Sequence, residues 1–407
     1  MLIDLSRVKV SGPLSGFAAG FTDHLMQRGY KPNSARRQIY LLNHLSNWLV
    51  SEGLGVEELH AKEVERFQRD RYAAGYRSPP SIRAMQTILG HLRDSNIMSA
   101  ALPVSATGAL EGFVERFHTY LTSERGIRDA TASRYIHLIR PFLQTRILSG
   151  GLALDFRSLT AADVVSFVVK ICPRLNPGMA GLTVTALRSI LGFLHVDGAI
   201  DRSLLSAVPT VPGRRLTGLP KGLDPNQVKR LLASCDTATP SGCRDFAVLT
   251  MLVRLGLRAG EVAKLRLDDI DWRAGEIVVA HSKGNREERI PLPSDVGEAV
   301  AAYLRRGRPV NAQGRTIFIG AVAPHHALTS SGVSVIVARA AKRCGLGRIH
   351  AHRLRHTAAT LMLHGGASLP EIGQLLRHRN TITTTIYAKV DRDALRSIAR
   401  PWPGDVA

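Results

Sequence analysis

The sequence predicts a mainly α-helical protein with a small β-sheet confined to its C-terminal part. Three observations lead there. Apolar residues recur at helical spacing through most of 1–100 and 107–208. Residues 276–280 and 289–292 instead alternate apolar and polar on either side of a charged turn, the period of strands. A chain of 407 residues with 44% apolar content can build two or three separate cores, at about 150 residues per domain.

In chain order, 16–27 is an amphipathic segment that stops at Gly29-Tyr30-Lys31-Pro32. Ser34 reads as the N-cap of a helix to Val50, with Ile39, Leu41, Leu42, Leu45, Trp48 and Leu49 on its apolar face. Further helices are expected at 61–74 and 82–97, separated by Ser78-Pro79-Pro80. A second helical block begins near Ala109 and repeats the first. Phe113, Phe117 and Leu121 match Phe17, Phe21 and Leu25 at an offset of 96 residues. After a one-residue insertion, Arg125-Gly126 matches Arg28-Gly29, Thr131-Ala132 matches Ser34-Ala35, and Leu138 matches Leu41. This is the pattern of a duplicated small helical domain, and its second copy continues in helices at 161–171 and 182–194.

Pro and Gly crowd 208–220, together with Arg214, Arg215 and Lys221, so an interdomain linker is expected at 209–221. Beyond it, Asp224 caps a helix to about Ser234. A buried helix at 243–255 ends at Gly256, and Leu257-Arg258-Ala259-Gly260-Glu261 opens the next. The two strands make a hairpin with Lys283-Gly284 in its turn, and 316–319 is a short strand candidate. Helices return at 330–344, 352–364 and 370–377. The domains so read are 1–100, 107–208 and 222–407.

Charge narrows the partner. Lys and Arg total 54 against 33 acidic residues, a net +21. Such an excess suits a polyanion: DNA, RNA or an anionic membrane. The apolar run 246–255 is too short to span a bilayer and carries Arg254. Residues 1–10 hold Asp4, Arg7 and Lys9 and no signal-peptide core. The four cysteines show no CxxC pair or metal-ligand spacing and fit reduced thiols in a cytosol. A metal site at His281, His325 and His326 is disfavoured, since they lack a helical i, i+4 ligand pattern. The expectation is a cytoplasmic protein, nucleoid-associated when bound to nucleic acid, without a membrane partner.

The chemistry concentrates in 350–387. His352-Arg353-Leu354-Arg355-His356 is followed by Leu375-Leu376-Arg377-His378 and by Tyr387. An arginine fork holds a phosphate through two parallel hydrogen bonds. Histidine donates to phosphate oxygens or moves a proton near neutral pH, and tyrosine is an oxygen nucleophile once its proton is taken. With Arg258 and Lys283 upstream, these residues suit attack on a phosphodiester.

The C-terminal domain resembles the catalytic domain of the tyrosine recombinases, the phage integrase family. The resemblance covers about 180 residues. It runs through Gly256–Glu261 around the first arginine, Lys283 of the hairpin, His352 and Arg355 of the His-x-x-Arg box, His378, and Tyr387 nine residues on. It implies that Arg258 and Arg355 clamp the scissile phosphate while its non-bridging oxygens gain charge. His352 and His378 would donate to the same oxygens, and His352 could take the tyrosine proton. Lys283 would protonate the departing deoxyribose oxygen, and Glu261 would orient Arg258 or His352. The product would be a 3′-phosphotyrosyl bond, formed and resealed without metal, ATP or other cofactor. The resemblance also implies double-stranded DNA recombination sites as substrate, in integration or transposition of a mobile element. Four protomers, or an assembly with related recombinases, would form the synapse. Residues 107–208 would be the core-binding domain and, with 222–395, a C-shaped DNA clamp. Residues 1–100 depart from the simplest members. A final helix at 391–399 would dock on a neighbouring protomer through Leu395 and Ile398.

Other residues have plainer readings. His356 and His364 are expected to bond backbone or DNA, and Arg377 and Arg379 to touch the DNA backbone. Two alternatives stand beside this one. Residues 368–379 resemble part of a helix-turn-helix, which would make a non-catalytic regulator but leaves Arg258, Lys283, His352, Arg355 and Tyr387 without work. A topoisomerase would share the chemistry without exchanging partners, and two accessory helical domains favour binding at defined sites instead.

Overall fold

The computed structural model describes residues 8–76, 82–95, 108–148, 153–211, 222–280, 287–312 and 314–377, with Thr384 and Tyr387. Two compact units divide the chain: 100–217 forms one, and 1–99 with 218–407 forms the other.

The first helices are α1 (Ala18–Gln27), α2 (Pro32–Glu52), α3 (Ala61–Ala73) and α4 (Ile82–Asp94). Phe21, Leu25, Ile39, Leu42, Leu45, Ile88 and Leu92 join in one apolar core. The cap expected at Ser34 lies inside α2, because Pro32 occupies the first turn and Lys31 is the N-cap. Proline fixes φ near its helical value and its missing N–H costs nothing there, so it starts the helix earlier than the hydroxyl would. The 82–97 helix ends at Asp94, and 96–97 fall outside the described residues.

The 100–217 unit contains α5 (Ala109–Thr119), a π turn at Tyr120–Glu124, α6 (Asp129–Gln144), α7 (Ala161–Ile171) and α8 (Pro177–Val196). The helix expected at 182–194 begins five residues sooner, where Asn176 accepts a hydrogen bond from Met179 N at 2.9 Å and Pro177 follows. By composition α8 would suit a membrane, yet its Leu187, Ile190, Leu191 and Leu194 fill this unit's core. Of the residues paired in sequence, Phe21 and Phe117, Leu25 and Leu121, and Ala35 and Ala132 are each buried. Gly29 and Gly126 both take positive φ, +78° and +60°, in the turn between the two helices.

In the C-terminal part follow α9 (Pro225–Ala233), α10 (Pro240–Arg254), α11 (Ala259–Lys264), the strands β1 (Ile270–Asp271), β2 (Glu276–Ala280) and β3 (Glu287–Pro291), then α12 (Ser294–Arg306), α13 (Ser330–Arg343), α14 (Ala351–His364) and α15 (Leu369–Leu375). Asp224 and Gln227 close a reciprocal cap at the start of α9. The sheet is antiparallel in the order β1-β2-β3, with Ile277 opposite Ile270 and Ile290. Those three isoleucines and Val279 turn one face of the hairpin into the domain's main core, on α10 and its neighbours. The hairpin tip, with Lys283 and Gly284, lies outside the described residues.

The strand expected at 316–319 is only a pair of isolated bridges, Arg266 to Thr316 and Ile319 to Ala327. Ile317, Phe318 and Ile319 are all buried, so the segment is enclosed on both sides rather than alternating. Helix α12 was not anticipated, although Val296, Ala299, Val300 and Tyr303 repeat at helical spacing. The helix expected at 391–399 lies outside the described residues.

Residues 8–95 also meet this part of their unit. Asn311 Nδ2 donates to Gln27 O at 3.2 Å, and Ala323 packs against the first core. A Cβ on Gly29 would collide with Asn311 Nδ2 and lie 2.9 Å from His325 Nε2, whereas one on Gly126 would meet nothing within 4 Å.

Candidate active site

Gly256 ends α10 at φ +58°, a conformation glycine adopts without a Cβ penalty. A Cβ there would sit 2.5 Å from Leu376 Cδ2. The turn puts Arg258 at the N-cap of α11, with its backbone N–H on Glu261 Oε2 at 2.7 Å. The Arg258 guanidinium returns to the same carboxylate, Nη1 to Oε1 at 2.6 Å. Glu261 thus holds Arg258 through two hydrogen bonds, and it holds a second cation as well. Arg377 Nη2 donates to Glu261 Oε2 at 2.9 Å. Burial raises the Glu261 carboxyl, but Arg377 and the two bonds from Arg258 outweigh it and hold the group below the usual carboxylate range. Arg258 keeps 41% of its side chain exposed, against 2% for Glu261, so the pair presents one face of a cation to solvent.

Helix α14 supplies the rest. His352, Arg355 and His356 lie within four residues, so all three point to one side. Arg355 is buried and doubly anchored: Nη1 donates to Gly256 O at 2.7 Å and Nη2 to Leu376 O. Burial first, then Arg258, lower its pKa to about 10, so it stays charged at neutral pH. Arg258, Glu261, His352 and Arg355 line one cleft with Lys264 and Ser330. His352 is open to that cleft, and its partial enclosure, then Arg355 and Arg258, lower its pKa.

Tyr387 is 1% exposed and packs with Ala359, Ile372 and Leu376. Its hydroxyl lies 2.9 Å from His356 Nδ1. Burial raises the phenol's pKa, with Arg355 opposing. Burial also drives His356 down to about 4, aided by His352 and Arg355, so its ring is neutral at physiological pH.

The structure therefore brings Arg258, Glu261, His352 and Arg355 together, with Tyr387 reached through His356. Lys283, His378 and Arg379 lie outside the described residues. Two expectations are corrected. Arg377 does not offer itself to DNA: its side chain is buried, at a positive φ of 55°, because the Glu261 carboxylate draws it inward. His356 has the Tyr387 hydroxyl as a side-chain partner, where a backbone or DNA partner was expected. Sequence reasoning also missed Lys264, although it stands one helical turn past Glu261 on α11.

Residues 221–393 match the phage integrase family. Over 398 residues the chain is 40% identical to a putative integrase/recombinase, y4rA, of Sinorhizobium fredii, spanning 97% of this chain and 96% of that protein. Over 302 residues it is 31% identical to the tyrosine recombinase XerD of Listeria monocytogenes, spanning 72% of this chain and 99% of that one. Among solved structures, XerH recombinase bound to palindromic difH substrate matches with a TM-score of 0.56 at 18% identity, over 71% of this chain and 84% of that one. A lambda integrase dimer bound to a COC′ core site matches at 0.53 and 20%, over 68% and 94%. At that identity the structural likeness is one of fold.

Proposed function

Because this chain belongs to the phage integrase family, the tyrosine recombinases, and is a site-specific recombinase enzyme, we propose that it cuts and rejoins DNA through a 3′-phosphotyrosyl intermediate on Tyr387. One observation carries the assignment of roles. Two arginines, Arg258 and Arg355, share a cleft with His352, while the phenol hydroxyl is hydrogen-bonded to His356, the residue after Arg355 on the same helix.

In this reading the scissile phosphate lies between the two guanidinia. Charge developing on its non-bridging oxygens meets cations that bonds to Glu261, Gly256 and Leu376 have already oriented. His352 and His378 donate to those oxygens, and Lys283 protonates the leaving 5′-oxygen. Breaking one phosphodiester makes another of similar energy, so resealing proceeds without ATP, and the charge stabilisation from arginine replaces that of a metal. The substrate is double-stranded DNA at recombination sites, and the net charge of +21 suits it. Four protomers assemble two such sites, and the chain serves the integration or transposition of a mobile element, acting in the cytoplasm on nucleoid DNA. The recurrence of the 1–100 pattern in 107–208 supports reading the former as a duplicated helical domain beside a core-binding domain.

The test is covalent trapping. Wild type and Tyr387→Phe are incubated with nicked suicide duplexes from the DNA flanking the native gene, in EDTA without ATP. A protease-sensitive shifted band in wild type alone is expected. Cleavage that requires Mg²⁺, or a band that survives in Tyr387→Phe, overturns the mechanism.

A further inference from the structure

We infer that His356, the residue following the His-x-x-Arg box, is the group that takes the phenolic proton of Tyr387 during strand cleavage and returns it on rejoining. The inference rests on the phosphotyrosyl reading above. It moves the base from His352, the histidine of the box, to the histidine that follows the box.

Geometry separates the two histidines. His352 opens into the cleft with Arg258 and Arg355, where a phosphate would lie. His356 stands one turn deeper on α14, with Nδ1 2.9 Å from the Tyr387 hydroxyl, within reach of direct proton transfer. The two rings meet edge to face at 4.4 Å between centroids, and His356 and Tyr387 meet in the same way at 5.6 Å. To accept at Nδ1, a neutral imidazole carries its proton on Nε2.

The charges around the ring fit the role. Burial, His352 and Arg355 keep His356 unprotonated, so Nδ1 can accept. A phosphodiester between Arg258 and Arg355 brings a negative charge that offsets those cations. It thereby stabilises the imidazolium as the proton arrives.

The step balances. The phenolic proton passes to His356 Nδ1 as the Tyr387 oxygen bonds to phosphorus. The phosphorus–5′-oxygen bond breaks, and that oxygen takes its proton from a separate donor. In rejoining, a 5′-hydroxyl attacks the phosphotyrosine and His356 returns its proton to the departing phenolate.

The experiment measures single-turnover adduct formation on suicide duplexes by full-length wild type, His356→Ala and His356→Asn. Asparagine can still accept a hydrogen bond but cannot hold the proton, and it keeps a polar side chain in place if alanine unfolds the helix. Each variant is expected to lose a factor of about 100 or more, the usual contribution of a general base, with DNA affinity unchanged. A ring-fluorinated tyrosine at position 387, whose phenol is more acidic, should recover a large part of that loss. Sulfur in place of the scissile 5′-oxygen, which leaves without protonation, should recover none of it. Three results overturn the assignment: rates in His356→Asn close to wild type, full rescue by the sulfur substrate, or no recovery with fluorotyrosine. Absence of any adduct in wild type defeats the phosphotyrosyl reading itself, and the assignment with it.

Discussion

Arg377 and Glu261 form an ion pair that solvent does not reach, Nη2 to Oε2 at 2.9 Å with the two side chains 0% and 2% exposed. The same carboxylate holds Arg258 at the cleft. Removing one partner of a buried pair leaves an uncompensated charge and costs about 3–5 kcal/mol. Glu261→Gln should therefore lower the urea midpoint by an amount equal to about 3 kcal/mol with an unchanged m-value. Glu261→Leu combined with Arg377→Met should cost less than Glu261→Gln, because no buried charge is then stranded. The sign in pH follows from the depressed carboxyl. Its stabilisation is present above the ordinary carboxyl value of 4.5 and is lost as pH falls through the lower folded value.

His356 gives stability a second dependence on acid. Its pKa falls from 6.5 to about 4 on folding, so the unfolded chain binds the proton first. Stability is complete above pH 6.5 and declines as pH falls from there towards 4. Thermal midpoints measured across that window should fall for wild type. The fall should be shallower in His356→Asn, and the difference between the two curves isolates this residue from the other histidines.

Gly256→Ala should damage both stability and activity. It places a Cβ in the left-handed region, at about 1–2 kcal/mol, and drives it to 2.5 Å from Leu376 Cδ2. The same peptide carries the carbonyl that anchors Arg355. A lowered melting temperature is expected, together with a loss of adduct formation that persists well below the new midpoint. Activity restored in full at low temperature would show that the carbonyl does not position the arginine.

The paired turns offer an internal control. Gly29→Ala and Gly126→Ala both strain a left-handed residue, but only the first meets side chains, Asn311 and His325. Gly29→Ala should raise hydrogen exchange around Asn311 and Ala323 as well as in its own turn. Gly126→Ala should leave those amides unchanged and cost only the backbone strain.

Much of this was legible from residue spacing. The helices with strong apolar periodicity appear where expected, and Arg258, His352 and Arg355 stand in one cleft because chain turns and a single helix bring them there. What spacing hides is direction. Arg377 and Arg379 look alike in sequence, yet the Arg377 side chain turns inward because a carboxylate on α11, 116 residues away, receives it. The His356–Tyr387 contact joins a helix to a segment 31 residues on, a tertiary fact that no local pattern contains. One signal was available: His352 and His356 are four apart and so share a helix face. The cap read at Ser34 and the helix start read at Leu182 fall inside their helices for a local reason, since Pro32 and Pro177 begin those helices earlier. Helix α12 was legible and overlooked.

The contact between Gln27 and Asn311 spans 284 residues of sequence, which sets a timetable during synthesis. Residues 8–95 leave the ribosome with an apolar core of their own, and the 100–217 unit follows with another. At roughly 5–20 residues per second, the carbonyl of Gln27 waits between about 15 s and 1 min for the side chain that donates to it. Through that interval the Gly29 turn is bare in a crowded cell, beside neighbouring nascent chains that each carry an Asn311. Slower translation lengthens the exposure, and a partner that shields the turn shortens it.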